Sequence, residues 1–272
     1  MLKNPVSRHR VTFMLPQYPE FFWLTAVTAV LLIGLSKAGF GSGVGVVATP
    51  LIALTIPVAE AAALLLPLLI VADVLSIPHY RDSYDMPSLR LMLPGALAGI
   101  VLGAFFFGYF SRHEEVLKLA VGMIALLFVL YQGTRGLIMR RLEAHRPSNM
   151  TGIGLGFISG FTSTLAHAGG PPATMYLLPQ NLSRRLFVGT ILIFFFVVNL
   201  IKLIPYTILG LLQVGNILTI VVLAPIIFVG VKLGVWLNER FDNTWFNRVI
   251  YLLLFLTGAQ LVAGESLIAL LL

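Results

Sequence analysis

Long apolar stretches, each of a length that can cross a lipid bilayer, occupy most of this sequence. A helix needs about 20 mostly apolar residues to span the roughly 30 Å of hydrocarbon. Eight stretches meet this requirement, at residues 21–56, 58–78, 89–110, 116–139, 150–180, 185–212, 215–237 and 248–271. The sequence therefore predicts an all-α integral membrane protein with eight transmembrane helices.

The composition agrees with lipid as the main solvent of the chain. Only 11% of the residues are charged, whereas a soluble domain carries about 25%. The absence of cysteine excludes disulfides, thiolate metal sites and cysteine nucleophiles. The sequence also lacks the Gly-Lys-Ser/Thr motif of a phosphate-binding loop and the paired histidines of a metalloprotease helix. We therefore predict no enzyme activity, no metal and no cofactor.

Basic residues indicate the orientation in the membrane. They are concentrated in the link between the fourth and fifth stretches (Arg140, Arg141 and Arg146) and in the N-terminal tail (Lys3, Arg8 and Arg10). Positive loops favour the cytoplasmic side, so the formal net charge of +7 indicates basic loops rather than nucleic-acid binding. Four crossings would put the tail and the link on one face, with both termini cytoplasmic. Arg184 and Arg185 then lie on the opposite face, against this rule.

The first stretch is interrupted by the segment SKAGFGSGVGVVATP at residues 36–50. A straight helix over 21–56 would be about 54 Å long at 1.5 Å per residue, so it must break or fold. Each glycine lowers helix propensity by about 1 kcal/mol relative to alanine, which favours a break here. The fifth stretch contains a similar segment, STLAHAGGPP. We expect interruptions near 37–45 and 165–172, and whether these segments cross fully or are re-entrant stays open.

The two interruptions indicate an internal duplication. Aligning VGVVATPL (44–51) with GGPPATMY (169–176) matches Gly45 with Gly170 and the Ala-Thr pair of each segment. Glycine ladders in the third and seventh stretches, Gly95-Gly99-Gly103 and Gly230-Gly234, then correspond, and such spacing lets helices pack closely. The expected organisation is a cytoplasmic tail at 1–20, a four-helix repeat at 21–139, a basic cytoplasmic linker at 140–149 and a second four-helix repeat at 150–272. Helices one and five are the interrupted ones.

Polar residues at membrane depth mark a candidate binding site. Transporters place paired helix interruptions at an anionic substrate, because unwound backbone exposes N–H groups. Ionisable groups within spans are costly and are therefore functional candidates. The predicted substrate-binding residues are Ser36, Lys37, Gly41, Ser42 and Gly43 in the first interruption, Ser163, Thr164, His167, Gly169 and Gly170 in the second, and Asn199 and Lys202 in the sixth stretch. The candidates for a coupling proton are Asp73 and His167.

Each of these ionisable residues also has a structural interpretation. Lys37 either anchors an anion or extends its ammonium to the membrane interface as a snorkelling lysine. His167 binds an anion, relays a proton near neutral pH, or packs in the core. Asp73 either carries a proton or forms a structural ion pair with Lys202.

Glycine-rich motifs after the first helix of each half, the Pro50-Leu51 pair after the first motif, and a length near 270 residues resemble one known family. It is the TauE/SafE sulfite exporter family of bacterial membrane permeases. The sequence-specific part of the similarity covers residues 34–54 and 152–178. The family's Gly-Gly-Gly core is replaced here by GSGVG and AHAGGPP, and its Gly-Thr-Ser motif appears only as VGT at 188–190. The resemblance implies transport of sulfite, sulfonates or related organosulfur anions across the bacterial cytoplasmic membrane.

We therefore expect a secondary transporter of small sulfur-containing anions, driven by an ion gradient or by the gradient of the substrate itself. Two other classes stay open: a passive anion channel lined by the same interruptions, and a membrane scaffold that transports nothing. The expected partners are a small anionic substrate and the lipid bilayer, and a homo-oligomer stays open. The sequence does not identify the anion, the coupling ion or the direction of transport.

Overall fold

A computed structural model describes residues 16–37, 44–142, 147–212, 215–240 and 243–264, and within these ranges every regular element is helical. The α-helices are α1 Phe22–Leu35, α2 Ala48–Ile52, α3 Val58–Tyr80, α4 Met86–Phe110, α5 Glu114–Leu142, α6 Asn149–Ala166, α7 Gly170–Leu177, α8 Arg184–Ile208, α9 Gly215–Arg240 and α10 Asn243–Ala263. A 3₁₀ turn at Val44–Val47 leads into α2, and another at Leu178–Gln180 follows α7.

Five helices in the described part of the chain are long and apolar enough to cross a membrane. They lie at Val58–Tyr80, Met86–Phe110, Glu114–Thr134, Arg184–Ile208 and Ile217–Gly234. Large apolar side chains on these helices point outward: Phe105 is 73% exposed and Ile208 is 79% exposed. Lipid accepts such surfaces, whereas water disfavours them. The chain is therefore a multi-pass membrane protein. Phe22–Leu35 and Arg248–Ala263 are apolar but shorter.

Side-chain caps fix where three of the helices begin. Asp85 accepts a hydrogen bond of 3.0 Å from the backbone N–H of Ser88 at the start of α4. Ser148 caps α6 and Ser183 caps α8 in the same way, through Thr151 N–H at 3.2 Å and Leu186 N–H at 3.4 Å. Such caps satisfy N–H groups that have no partner inside the helix.

The C-terminal end of α6 is a reversal of the chain. His167 adopts a left-handed backbone conformation, with φ of 53°, and so ends the helix after Ala166. The next helix, α7, begins at Gly170 and runs back along α6. The hydroxyl of Ser159 donates to the Gly169 carbonyl at 2.7 Å, and a Cβ on Gly152 would lie 2.8 Å from the ring of Tyr176. Helices α6 and α7 therefore form an antiparallel hairpin.

Residues 44–55 run back along α1 in a similar way. At the inner end of α1, a Cβ added to Gly45 would lie 3.6 Å from the hydroxyl oxygen of Ser36. The hydroxyls of Thr25 and Thr55 are hydrogen-bonded at 3.2 Å near its other end. Helix α1 and residues 44–55 are therefore antiparallel and form the first hairpin, whereas α6 and α7 form the second. The chain returns to the side on which α1 began.

Two helix pairs between the N-terminal and C-terminal parts of the chain are antiparallel. In α3 and α8, Asp73 contacts Asn199, whereas the later residue His79 contacts the earlier residue Arg185. In α5 and α10, a Cβ on Gly122 would lie 2.8 Å from the Gly258 carbonyl oxygen. Further along α5, the Phe128 ring contacts Tyr251, which precedes Gly258 in α10.

Two other pairs are parallel and are packed through glycines. Gly95 and Gly99 of α4 lie against the backbone of Ile153 and Phe157 of α6, and a Cβ on either would collide with it. Gly34 of α1 lies against Gly230 of α9, where a Cβ would approach to 2.8 Å. The packing role predicted for Gly95, Gly99 and Gly230 is confirmed.

Candidate functional site

A cavity of about 90 Å³ lies between the inner ends of the two hairpins and the middle of α3 and α8. Because one water molecule needs roughly 10–15 Å³ of such space, the cavity has room for a small polyatomic ion. Its polar lining consists of Ser36, Lys37, Ser163, His167 and Asn199, together with the backbone of Gly45 and Gly170. Its apolar lining includes Ile33, Leu69, Phe187, Val188, Ile191, Leu192 and Phe195.

Lys37 is held at the cavity by a buried carboxylate. Its ammonium forms an ion pair with one carboxylate oxygen of Asp73. The amide of Asn199 donates to the other oxygen at 2.8 Å. The Asp73 side chain is fully buried, whereas the Lys37 side chain is 14% exposed. Asp73 therefore lies behind the cavity wall, and Lys37 presents the positive charge at the surface of the cavity.

Lys202 does not line the cavity and is fully buried behind its wall. Its ammonium donates to the Ser163 carbonyl and the Ser163 hydroxyl, each at 3.0 Å, and to Nδ1 of His167 at 2.8 Å. An ammonium has three donors and no acceptor, so these partners use all of its N–H bonds. The sequence interpretation paired Lys202 with Asp73. In the described residues the ion-pair partner of Asp73 is Lys37, which reaches it from the end of α1.

His167 joins the second hairpin to α3. Its Nε2 lies 3.0 Å from the carbonyl oxygen of Ala62. A carbonyl only accepts, so Nε2 carries the hydrogen, and Nδ1 accepts from Lys202. These partners assign the neutral tautomer, and the ring lines the cavity.

A family model described as "Sulfite exporter TauE/SafE" matches residues 26–261. This match covers most of the chain, including the inner ends of both hairpins and every residue that lines the cavity. The chain belongs to the TauE/SafE sulfite exporter family. No curated protein and no solved structure gave a significant match to it.

The structure brings most of the predicted site residues of this TauE/SafE protein together. Lys37 and His167 come from different interruptions, yet both line the same cavity, as do Ser36, Ser163 and Gly170. Three predicted residues, Gly41, Ser42 and Gly43, lie outside the described residues.

Thr164 and Gly169 do not line the cavity. The Thr164 hydroxyl donates to the Gly160 carbonyl at 2.8 Å, and the Thr164 carbonyl accepts from Tyr206 at 2.8 Å. The Gly169 carbonyl accepts from Ser159. In this TauE/SafE protein Thr164 joins α6 to α8 through Tyr206, and Gly169 joins the start of α7 to α6.

Sequence reasoning missed the apolar part of the site. Phe187, Ile191 and Phe195 precede Asn199 at intervals of four residues on α8 and line the cavity with it. Residues four apart share one helix face, so the polar residue Asn199 marked this face in the sequence. The contact between the His167 ring and the Ala62 carbonyl had no such signal, because any backbone carbonyl can accept. In the described residues, no group of His, Asp and Glu is arranged to hold a metal ion.

Proposed function

We propose that this TauE/SafE protein is a secondary carrier of small sulfur-containing anions, such as sulfite and sulfonates, and that the cavity is its substrate site. The observation that supports this most is the balance of charge at the cavity. Two lysines, Lys37 and Lys202, lie at or directly behind its wall, and Asp73 is the one carboxylate that the described residues place with them. An anion in this space would offset the excess positive charge.

The proposed substrate contacts are the Lys37 ammonium, the hydroxyls of Ser36 and Ser163, the His167 ring and the Asn199 amide. Lys202 acts through His167 and Ser163, both of which it contacts. The apolar residues of α8 exclude water from the rest of the anion, which suits the carbon part of a sulfonate. Asp73 and His167 are the candidates in this site for exchanging a proton, as coupling to a proton gradient requires.

The helix directions favour a specific membrane arrangement for the eight apolar segments. We propose that helices α1–α5 and α6–α10 are two repeats, in which each helix corresponds to the one five positions later. The first apolar segment of each repeat is a re-entrant hairpin, and three full crossings follow it. Helices α3 and α8, which correspond, are antiparallel, as are α5 and α10. The pair α4–α6 and its counterpart α9–α1 are both parallel. A pseudo-two-fold axis in the membrane plane relates two halves whose corresponding helices run in opposite directions, as in many secondary transporters.

Three crossings per half place the N-terminal tail and the 140–149 linker on opposite faces. This replaces the expectation that both are cytoplasmic, which assumed that the first segment crosses fully. The linker face then contains Arg81, Arg140, Arg141, Arg146, Arg184, Arg185 and Arg240, against Lys3, Arg8, Arg10, Arg112 and Lys118 on the tail face. By the positive-inside rule the linker face is cytoplasmic, in a bacterial cytoplasmic membrane. The conflict over Arg184 and Arg185 disappears.

Uptake into proteoliposomes tests the proposed function against its alternatives. A carrier gives sulfite uptake that saturates with concentration, because each molecule must occupy the site. A passive channel gives uptake that keeps rising with sulfite concentration. A scaffold protein gives no uptake above that of empty liposomes, and this result would contradict the proposal.

A further inference from the structure

The hydrogen bonds around the cavity indicate its net charge. The Lys37–Asp73 ion pair contributes none, because its two charges cancel. The contacts of Lys202 fit an ammonium, because the Ser163 carbonyl, the Ser163 hydroxyl and Nδ1 of His167 can each accept one of its N–H bonds. His167 is neutral, since its Nε2–H faces a carbonyl and its Nδ1 accepts. The described groups at and behind the cavity wall therefore carry a single positive charge.

We infer that this site takes a singly charged anion as it stands, and takes a doubly charged anion only together with one proton, which His167 accepts. The inference rests on the proposed function and adds the charge of the substrate to it. A singly charged anion is balanced by Lys202. A doubly charged anion leaves one negative charge unbalanced in a cavity with a mostly apolar lining, where such a charge is costly.

The proton balance of this step is simple. A proton from solvent forms an N–H bond at Nδ1 of His167, and Nδ1 then no longer accepts from Lys202. The new N–H of His167 donates to an oxygen of the anion, and Lys202 keeps its two bonds to Ser163 behind the wall. Two positive charges then face two negative charges, and Nε2–H keeps its bond to the Ala62 carbonyl.

His167 is the group placed to take this proton. Its ring lines the cavity, whereas Asp73 lies behind the wall with Lys37 on one oxygen and Asn199 on the other. The groups around the His167 ring are Lys202 and Tyr206 of α8, Ser163 of α6, and the Ala62 carbonyl of α3, with Lys37 across the cavity. Of these groups, Lys202 is the charged one in direct contact with the ring. The two negative charges of the anion beside a protonated His167 would offset the repulsion between His167 and Lys202.

Calorimetric titration of the purified full-length protein tests the inference. Methanesulfonate is the singly charged probe and sulfate the doubly charged one, each titrated near neutral pH in two buffers with different ionisation enthalpies. The heat difference between the buffers gives the number of protons taken up. We expect no uptake with methanesulfonate and about one proton with sulfate, whose affinity then rises by up to about tenfold per unit decrease in pH.

The substitution His167→Asn isolates the proton acceptor. Asparagine tolerates the left-handed conformation of this position better than most residues, and its side-chain oxygen can replace Nδ1 as the acceptor for Lys202. It cannot take up a proton. We expect proton uptake with sulfate to disappear and the ratio of sulfate to methanesulfonate affinity to fall at least about tenfold. The control His113→Asn, at an exposed histidine between α4 and α5, should leave proton uptake unchanged.

Three results would overturn the inference. The first is sulfate binding without proton uptake in the unmodified protein. The second is proton uptake that persists in His167→Asn but is lost in Asp73→Asn, which would assign the proton to Asp73. In both cases the anions still bind, so the proposed function stands. The third is no binding of either anion, which would remove the proposed function together with the inference.

Discussion

Asn199 donates a hydrogen bond of 2.8 Å to the carboxylate of Asp73 and so joins the middle of α8 to the middle of α3. Both side chains are buried. The bond lies where the two halves of the chain meet, directly behind the cavity, and it orients the carboxylate that holds Lys37. The position of the lysine therefore depends on a contact between helices that are more than 100 residues apart in the sequence.

Replacing Asn199 with alanine should destabilise the protein. The carboxylate of Asp73 would keep Lys37 but lose its second donor, and an unsatisfied buried polar group costs about 1–3 kcal/mol. Thermal unfolding in detergent measures the effect, with Asn149→Ala at the exposed start of α6 as the control. Equal unfolding temperatures for the two variants would show that the bond contributes nothing to stability.

Lys37 should contribute to anion binding separately from its contribution to the fold. Lys37→Met alone leaves Asp73 buried without its cation, which costs roughly 3–5 kcal/mol of stability. The double substitution Lys37→Met with Asp73→Asn removes both charges, leaves the net charge unchanged and keeps an acceptor for Asn199. We expect near-normal stability but about 10- to 150-fold weaker methanesulfonate binding, from the loss of 1.5–3 kcal/mol of charge-assisted hydrogen bonding.

The control for this double variant is Lys118→Met, at a partly exposed lysine that is paired with Glu114 on α5. Methanesulfonate affinity equal to that of the unmodified protein in the Lys37/Asp73 double variant would remove Lys37 from the site. It would then be a structural lysine only.

The contact between α4 and α6 should be sensitive to a single methyl group. A Cβ on Gly99 would collide with the backbone of Phe157, whereas a Cβ on Gly154 would contact nothing within 4 Å. Gly99→Ala should therefore cost about 1–3 kcal/mol by overpacking. Gly154→Ala should be neutral or stabilising by up to about 1 kcal/mol, because alanine favours the helix. Thermal unfolding of both variants measures the difference, and an equally stable Gly99→Ala protein would show that the two helices are farther apart.

Single cysteines can test the re-entrant arrangement, because the chain has no cysteine of its own. Asn181→Cys, between α7 and α8, should be protected from an impermeant reagent added to intact cells. Leu211→Cys, after α8, should be labelled. Eight full crossings with a cytoplasmic N terminus would give the reverse at both positions. Asp82→Cys is protected and His113→Cys is labelled under either arrangement, so they serve as controls.

The helices were predictable from the sequence, and their directions were not. The apolar stretch 58–78 appears as Val58–Tyr80, and 185–212 as Arg184–Ile208, because about 20 apolar residues have few other stable structures in lipid. Hydrophobicity is the same whether a segment crosses or turns back. The reversal at His167 depends on its left-handed backbone and on contacts such as Ser159 with Gly169, which the apolar pattern does not contain.

The candidate site was predictable in its residue types but not in its pairings. Lys37 and His167 were marked by their position in the two glycine-rich interruptions, and both line the cavity. The choice of Lys37 rather than Lys202 as the partner of Asp73 depends on how the end of α1 meets α3. The spacing of Asn199 and Lys202 along α8 carries no information on the contact between Lys37 and Asp73.

Counterflow of labelled sulfite into proteoliposomes is the most direct test of the proposal that this protein is an anion carrier with its substrate site in the cavity. The vesicles are loaded with unlabelled sulfite and diluted into a trace of labelled sulfite at constant pH. A carrier whose single site exchanges one anion for another should accumulate label transiently above its equilibrium level, and the Lys37/Asp73 double variant should show far less of this accumulation at the same protein amount. Label that only approaches equilibrium in the unmodified protein, or accumulation that is undiminished in the double variant, would contradict the account.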